Sequence, residues 1–349
     1  MKNKIDRRDF LKLTTATGTV FVLGNLMPQS VSAQETVMIG EAEKIVVTVI
    51  TDNYTDALRP NDKIARRPEG ITSVMDVILH AEHGLAYHIE TVVNGRSHSF
   101  LFDFGTDYQG IKRNIGLLNI DLRNIEALVL SHDHFDHQAA LIELLDDNKT
   151  VITPGIPFYV GKQFFSGSYI RISGNLVASL LALKREDIEN PGLVKIVETS
   201  LPTQIIPGAY LIGHIDQVTD FEKIPPVFLT IREGQRVQDD FIGEQAVVMN
   251  VRDKGLVVIS GCAHRGIVNT VRQAQKITGI NKIHAIIGGF HLTGASPETI
   301  QRTIAEIKAF YPDYIAPFHC TGFEAISAFA REMPDQFILN IAGTRYIMT

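Results

Sequence analysis

The sequence predicts an α/β fold that gathers its chemistry at the ends of strands, and three observations lead there. Apolar, β-branched runs of strand length, such as Ile45 to Ile50 and Ile125 to Leu130, recur along the chain. Two pairs of such runs flank tight turns, Asn94-Gly95 and Asp253-Lys254-Gly255, and read as hairpins. Residues Ile267 to Thr278 and Pro297 to Phe310 read as helices between strand runs. That β-α-β-α rhythm lines successive strand ends along one edge of a sheet.

Taken in order, the first 33 residues stand apart from the fold. Asp6-Arg7-Arg8-Asp9-Phe10-Leu11-Lys12 places paired arginines before an apolar, threonine-rich stretch, and Val31-Ser32-Ala33 supplies small residues for cleavage. The pattern is that of a twin-arginine export signal, with Asp6 where serine or threonine is usual. Gly18, Gly24 and Asn25 make the stretch a poor spanning helix. A mature chain beginning near Gln34 is therefore expected in the bacterial periplasm, delivered by the twin-arginine export machinery and without stable membrane insertion after cleavage.

The folded domain is expected over residues 45–349. Asp52-Asn53 closes the first strand, as ordinary turn chemistry or as part of a cleft. Residues 54–76 read as a long loop, either a lid or an insertion. Leu85 to Val93 and Ser99 to Phe102 form the first hairpin, Ile111 to Leu118 a helix, and Ile125 to Leu130 the next strand. Between Val151 and Glu244 the patterning is weaker. Phe164, Phe165, Tyr169 and Ile170 suit either a mobile loop walling a pocket or packing on the core. Leu176 to Leu183 is apolar on too many faces for a lone surface helix and is expected to dock against another element. Ala246 to Val251 and Leu256 to Ser260 make the second hairpin.

Composition is that of a soluble globule, 45% hydrophobic and 21% charged with a net charge of −6. With no basic excess, no nucleic-acid partner is expected, and a mildly acidic total gives no reason to expect anionic membranes or polyanionic substrates.

Chemistry concentrates in His132-Asp133-His134-Phe135-Asp136-His137, placed where the strand ending at Leu130 gives way to a helix. Imidazole nitrogens with carboxylate oxygens suit zinc, iron or manganese, and His132 and His134, two residues apart, can converge on one ion. Asp136 and His137 then point elsewhere and can hold a second. The alternative is a solvated loop that happens to be rich in histidine. Three further histidines, His264, His291 and His319, each follow a strand-like run and can meet this loop, although each could instead be structural. His88, His98 and His284 lie within strands and read as bystanders; His83 could face the cleft, and His214 is a spare ligand. The two cysteines, Cys262 and Cys320, adjoin the histidine motifs and could pair, ligate or simply pack.

The H-x-H-x-D-H signature resembles the metallo-β-lactamase superfamily. Glu82-His83-Gly84-Leu85, Leu101-Phe102-Asp103-Phe104-Gly105, the stretch Ser260-Gly261-Cys262-Ala263-His264, Gly288-Gly289-Phe290-His291 and Pro317-Phe318-His319-Cys320 are similar to its dihydropterin ribofuranosylaminobenzene phosphate synthase subgroup. The resemblance implies a four-layered αβ/βα sandwich carrying one or two divalent ions, zinc first and manganese or iron next. It implies His132, His134 and His264 on one ion and Asp136, His137 and His319 on the other, with Asp136 orienting the nucleophile, His291 as ligand or proton donor and Asp103 as a structural carboxylate. One departure stands out: the superfamily's usual bridging aspartate is absent, and Cys262 lies near that position. The expected activity is an exported metal-dependent hydrolase using a metal-bound hydroxide on a small-molecule ester, lactone or phosphoester. The alternatives are a transferase of the subgroup's synthase type, against which export argues, and a non-catalytic metal- or ligand-binding protein.

Overall fold

Two large β-sheets packed face to face, with helices on their outer sides, form the computed structural model, which describes residues 36–68, 78–189 and 192–349. The arginine pair, the cleavage segment and part of the 54–76 loop lie outside the described residues.

The first sheet runs, in spatial order, Val194–Thr199, Ile156–Gly161, Ile125–Val129, Arg96–Phe104, Ala86–Val93, Lys44–Thr51, Arg345–Met348 and Ala65–Arg66. In the second, Thr203–Ile206, Ala209–Leu211, Ala246–Val251, Gly255–Ser260, Ile283–Gly289 and Tyr314–Phe318 follow one another, and Glu41–Ala42 pairs beside Ala246–Val251. Both expected hairpins form, with Asn94 and Asp253 at the positive φ their turns require.

Strand periodicity decides which side chains meet. Ile45, Val47 and Val49 face Val247, Met249, Val257 and Ile259 in the core between the sheets. Leu256 and Val258, one residue out of phase, face the opposite way onto the helices Ile267–Thr278, Pro297–Ala309 and Phe323–Glu332. On the first sheet, Leu101 and Leu128 likewise pack against Tyr108–Leu117 and Leu141–Asp147. The expected four layers follow from this alternation.

Two weakly patterned regions take definite form. Leu176 to Leu183 docks as expected, through a strand: Leu176–Ser179 joins a small four-stranded sheet with Ser168–Ser173, Phe228–Arg232 and Gln235–Gln238, and Leu183 packs on the first sheet's outer core, although Leu176 is 59% exposed. Gly174, at positive φ, lies in the turn that closes that hairpin. Phe164 is buried in the first sheet's outer core, so packing prevails there over a mobile loop. Among the described residues no helix is long and apolar enough to cross a membrane.

These placements set the cost of substitution. Ile259→Ala, which opens a cavity between the sheets, should cost about 2–5 kcal/mol in denaturant unfolding, whereas Leu176→Ala should stay within about 0.5 kcal/mol. His88 is buried on its strand, and burial, aided by Arg345, lowers its pKa to about 4. Glu90, at 3.8 Å, is too far to hydrogen-bond it. The unfolded chain therefore takes up the proton first, and the contribution of neutral His88 is lost as pH falls from about 6.5 towards 4. His88→Gln should narrow its stability gap to the native protein across that window, read from denaturant midpoints at each pH.

Candidate metal centre

The loop 131–137 leaves the strand Ile125–Val129 and is anchored by one carboxylate. Asp103, near the end of Arg96–Phe104, accepts hydrogen bonds from the Ser131 amide (2.7 Å), the Ser131 hydroxyl (2.8 Å) and His137 Nδ1 (2.6 Å). A proton on Nδ1 leaves the His137 Nε2 lone pair free, and the same logic applies to His132. With the Ser131 hydroxyl proton committed to Asp103, His132 Nδ1 donates to Ser131 Oγ at 2.9 Å and frees His132 Nε2. Gly261 permits this approach, because a Cβ there would lie 2.2 Å from Ser131 Oγ.

The other strand ends converge on these free nitrogens. His132 Nε2 lies 3.2 Å from His264 Nε2, and His137 Nε2 lies 3.2 Å from His319 Nε2 and 3.1 Å from Cys262 Sγ. His319 Nε2 also meets Asp136 Oδ2 at 3.2 Å. Five non-glycine residues hold left-handed backbones at or just after strand ends around the cluster: Asp103, Phe241, Ala263, His291 and His319. Strain of this kind persists where surrounding structure overdetermines it. For His264 that structure is Glu244, whose carboxylate accepts from the His264 and Arg265 amides at 2.6 and 2.8 Å, and Phe241, stacked on the imidazole at 4.0 Å.

Electrostatics divide the cluster. Burial holds His132 and His264 well below the ordinary histidine pKa and brings His134 to about 3, so all three are neutral donors of lone pairs. Burial also opposes charge on Asp136 and His319, yet their mutual contact prevails: His319 is pushed up to about 9, and His137 and His319 hold Asp136 well below the carboxylate range. Ionised Asp136 and protonated His319 balance each other across that contact.

The donor atoms of His132, His134 and His264 all lie within 4.8 Å of one another, as do those of Asp136, His137, Cys262 and His319, and those of Cys262, His264 and His291. Buried Nε2 of His134 and Nδ1 of His264, His291 and His319 have no hydrogen-bond partner among the described residues. Neutral imidazoles at His132, His134 and His264, with His134 Nε2 and His264 Nδ1 orphaned, would be costly as a plain core, and with the neighbouring donors they fit one or two transition-metal ions.

All seven sequence-predicted site residues therefore come together, with His291 against His264, ring centroids 3.9 Å apart. His83 reaches the cleft, stacked on His319 with Nε2 3.6 Å from Asp136. His214, His98 and His284 stand outside these groups, beside Asp216, Glu126 and Asp313. Both cysteines are free and buried. Sequence reasoning missed Glu244 and Phe241: one acts on backbone amides and the other by ring stacking, and neither leaves a local motif.

A profile of the metallo-β-lactamase superfamily matches residues 86–160, and this chain belongs to that superfamily. Within it, the chain is 36% identical over 260 residues, 74% of its own length and 87% of the relative's, to the 7,8-dihydropterin-6-methyl-4-(β-D-ribofuranosyl)-aminobenzene-5′-phosphate synthase of Methanocaldococcus jannaschii. An uncharacterised protein of the same organism is 30% identical over 250 residues, 71% of this chain and 87% of that protein. A crystal structure described as a metal-dependent hydrolase of the β-lactamase superfamily shares the fold, with a TM-score of 0.65 and 24% identity, covering 86% of this chain and 98% of that one.

Asp103→Asn tests the anchor. Asparagine tolerates the left-handed backbone but loses the charge that fixes Ser131 and the His137 tautomer. Metal affinity, measured by competition with a chromophoric chelator, should fall about 10- to 100-fold; an unchanged affinity would remove Asp103 from the site.

Proposed function

We propose that this chain is a metal-dependent enzyme that joins two organic substrates, the reaction class named in its 36%-identical relative. One structural observation supports joining over hydrolysis. Three cavities adjoin the histidine cluster: about 540 Å³ lined by His319, about 300 Å³ lined by His264 and His291, and about 30 Å³ lined by His132, the last too small for an organic substrate. A hydrolase needs room for one organic substrate and water, whereas a joining enzyme needs room for two.

In this reading His132, His134 and His264 hold one divalent ion, and Asp136, His137, His319 and Cys262 hold a second. Such an ion supplies Lewis acidity, drawing electron density from a substrate oxygen. The chain's own groups do the rest. Phe241 and Phe228 screen His264 and His134 from water, with rings 4.0 to 5.3 Å away. His291, lining the cavity of about 300 Å³, would give a proton to the oxygen that leaves one substrate as the second substrate's nucleophilic atom forms the new bond in its place. His83, largely exposed beside Asp136, carries protons between the cleft and solvent.

The twin-arginine pattern favours a second reading, an exported hydrolase of esters, lactones or phosphoesters in the periplasm. It also implies that the reaction class, rather than the relative's own substrates, carries over. Chelator-stripped protein should be inactive and regain activity with zinc, manganese or iron. The reloaded protein should form a conjugate from some pair in a panel of heteroaromatic and aromatic phosphate substrates, and leave single esters, lactones and phosphodiesters intact. Turnover of a single ester without a second substrate would favour the hydrolase, and full activity without metal would end both readings.

A further inference from the structure

We infer that the cavity beside His319 is a subsite for the aromatic ring of an anionic substrate. This deepens the two-substrate reading and rests on it. The cavity lies between the segment that follows the strand Lys44–Thr51 and the helix Phe323–Glu332, and its volume of about 540 Å³ falls in the range of small-molecule sites. Phe318, Phe323, Ile326, Phe337 and Leu339 give it apolar walls. Phe323 is 79% exposed and Tyr54, also on the lining, 45%. A planar ring inserted here would bury both aromatic faces, and offset or edge contacts between rings add to the gain from area alone.

The polar groups on the lining are not equivalent. Asp52, wholly buried, accepts from Asn340 through Oδ2, while its Oδ1 has no hydrogen-bond partner among the described residues and lies 3.9 Å from the likewise unpartnered His319 Nδ1. Asn53 donates to the His319 carbonyl at 3.1 Å. Arg59 is different. Its Nε is buried and has no hydrogen-bond partner among the described residues. A guanidinium offers five N–H donors and carries its charge at every working pH, so an unmatched donor on an apolar cavity calls for an anion. The ring then lies on Phe323, the carboxylate, sulfonate or phosphate meets Arg59, and the remaining edge of the ring faces His319. A neutral aromatic would satisfy the walls and leave Arg59 unmatched.

Calorimetric titration of the full, metal-loaded protein tests this with two probes, 2-naphthalenesulfonate and the neutral 2-naphthalenemethanol. Sulfonate suits the test because it is a poor metal ligand. The native protein should bind the sulfonate at one site and more tightly than the alcohol. Arg59→Gln should weaken the sulfonate about tenfold and leave the alcohol unchanged, while Phe323→Ala should weaken both. Leu176→Ala, an exposed apolar change elsewhere, should alter neither. No saturable binding by the native protein, or equal effects of Arg59→Gln on both probes, overturns the subsite. Elemental analysis and the joining assay are read separately. Probe binding that follows the expected pattern in a protein with no joining activity would sink the functional reading alone, whereas joining activity indifferent to Arg59→Gln would sink the subsite alone.

Discussion

The Asp103 carboxylate is the contact on which the rest of the centre depends. It is fully buried, which would be costly for a lone charge, and it is matched by three donors from one short loop. Those bonds fix where the loop 131–137 sits and which nitrogen of His137 and of His132 carries a proton. The fold delivers Asp103 to this place because its strand runs parallel to Ile125–Val129, so both strands end at the same edge. Parallel pairing turns a pattern in sequence into a shared rim.

The second sheet answers with the same device. Gly255–Ser260, Ile283–Gly289 and Tyr314–Phe318 are parallel neighbours, and His264, His291 and His319 follow them in turn. Glycines at the crossing points let backbones pass at close range. A Cβ on Gly288 would lie 2.2 Å from the Ser260 carbonyl, and one on Gly289 would lie 2.4 Å from that of Gly261. Close approach of the strand ends is what brings imidazoles from distant parts of the chain within reach of one another.

Much of this was legible in the sequence, and the reasons are local. The helix Ile267–Thr278 and the second hairpin declare themselves by period and by turn chemistry, and each histidine at a strand end is marked by the apolar run before it. Where recognition depends on partners far along the chain, the sequence is silent. Leu176 to Leu183 reads as a docking element because its apolar residues are dense. Its place in a small sheet is set by pairing with Ser168–Ser173, itself held by Phe228–Arg232 much later in the chain, as the Phe228 to Ile170 register shows. Glu244 escaped notice for the same reason: nothing beside it in sequence shows that it will receive the amides of His264 and Arg265.

Cys262 carries the last step of the argument. Its sulfur belongs to two of the donor groups, one with Asp136, His137 and His319 and one with His264 and His291, so it stands where those groups meet. The superfamily's usual residue near that position is an aspartate, a hard oxygen donor. Burial raises the Cys262 thiol pKa well above its ordinary value, so the sulfur stays neutral unless a cation compensates it. Replacing a carboxylate by a thiol removes one negative charge from the pocket and offers a soft donor to an ion. Soft sulfur among imidazoles favours zinc or iron over magnesium or calcium. The same exchange makes the pocket less costly to bury before an ion binds, which suits a chain whose donor side chains are all but sealed from solvent.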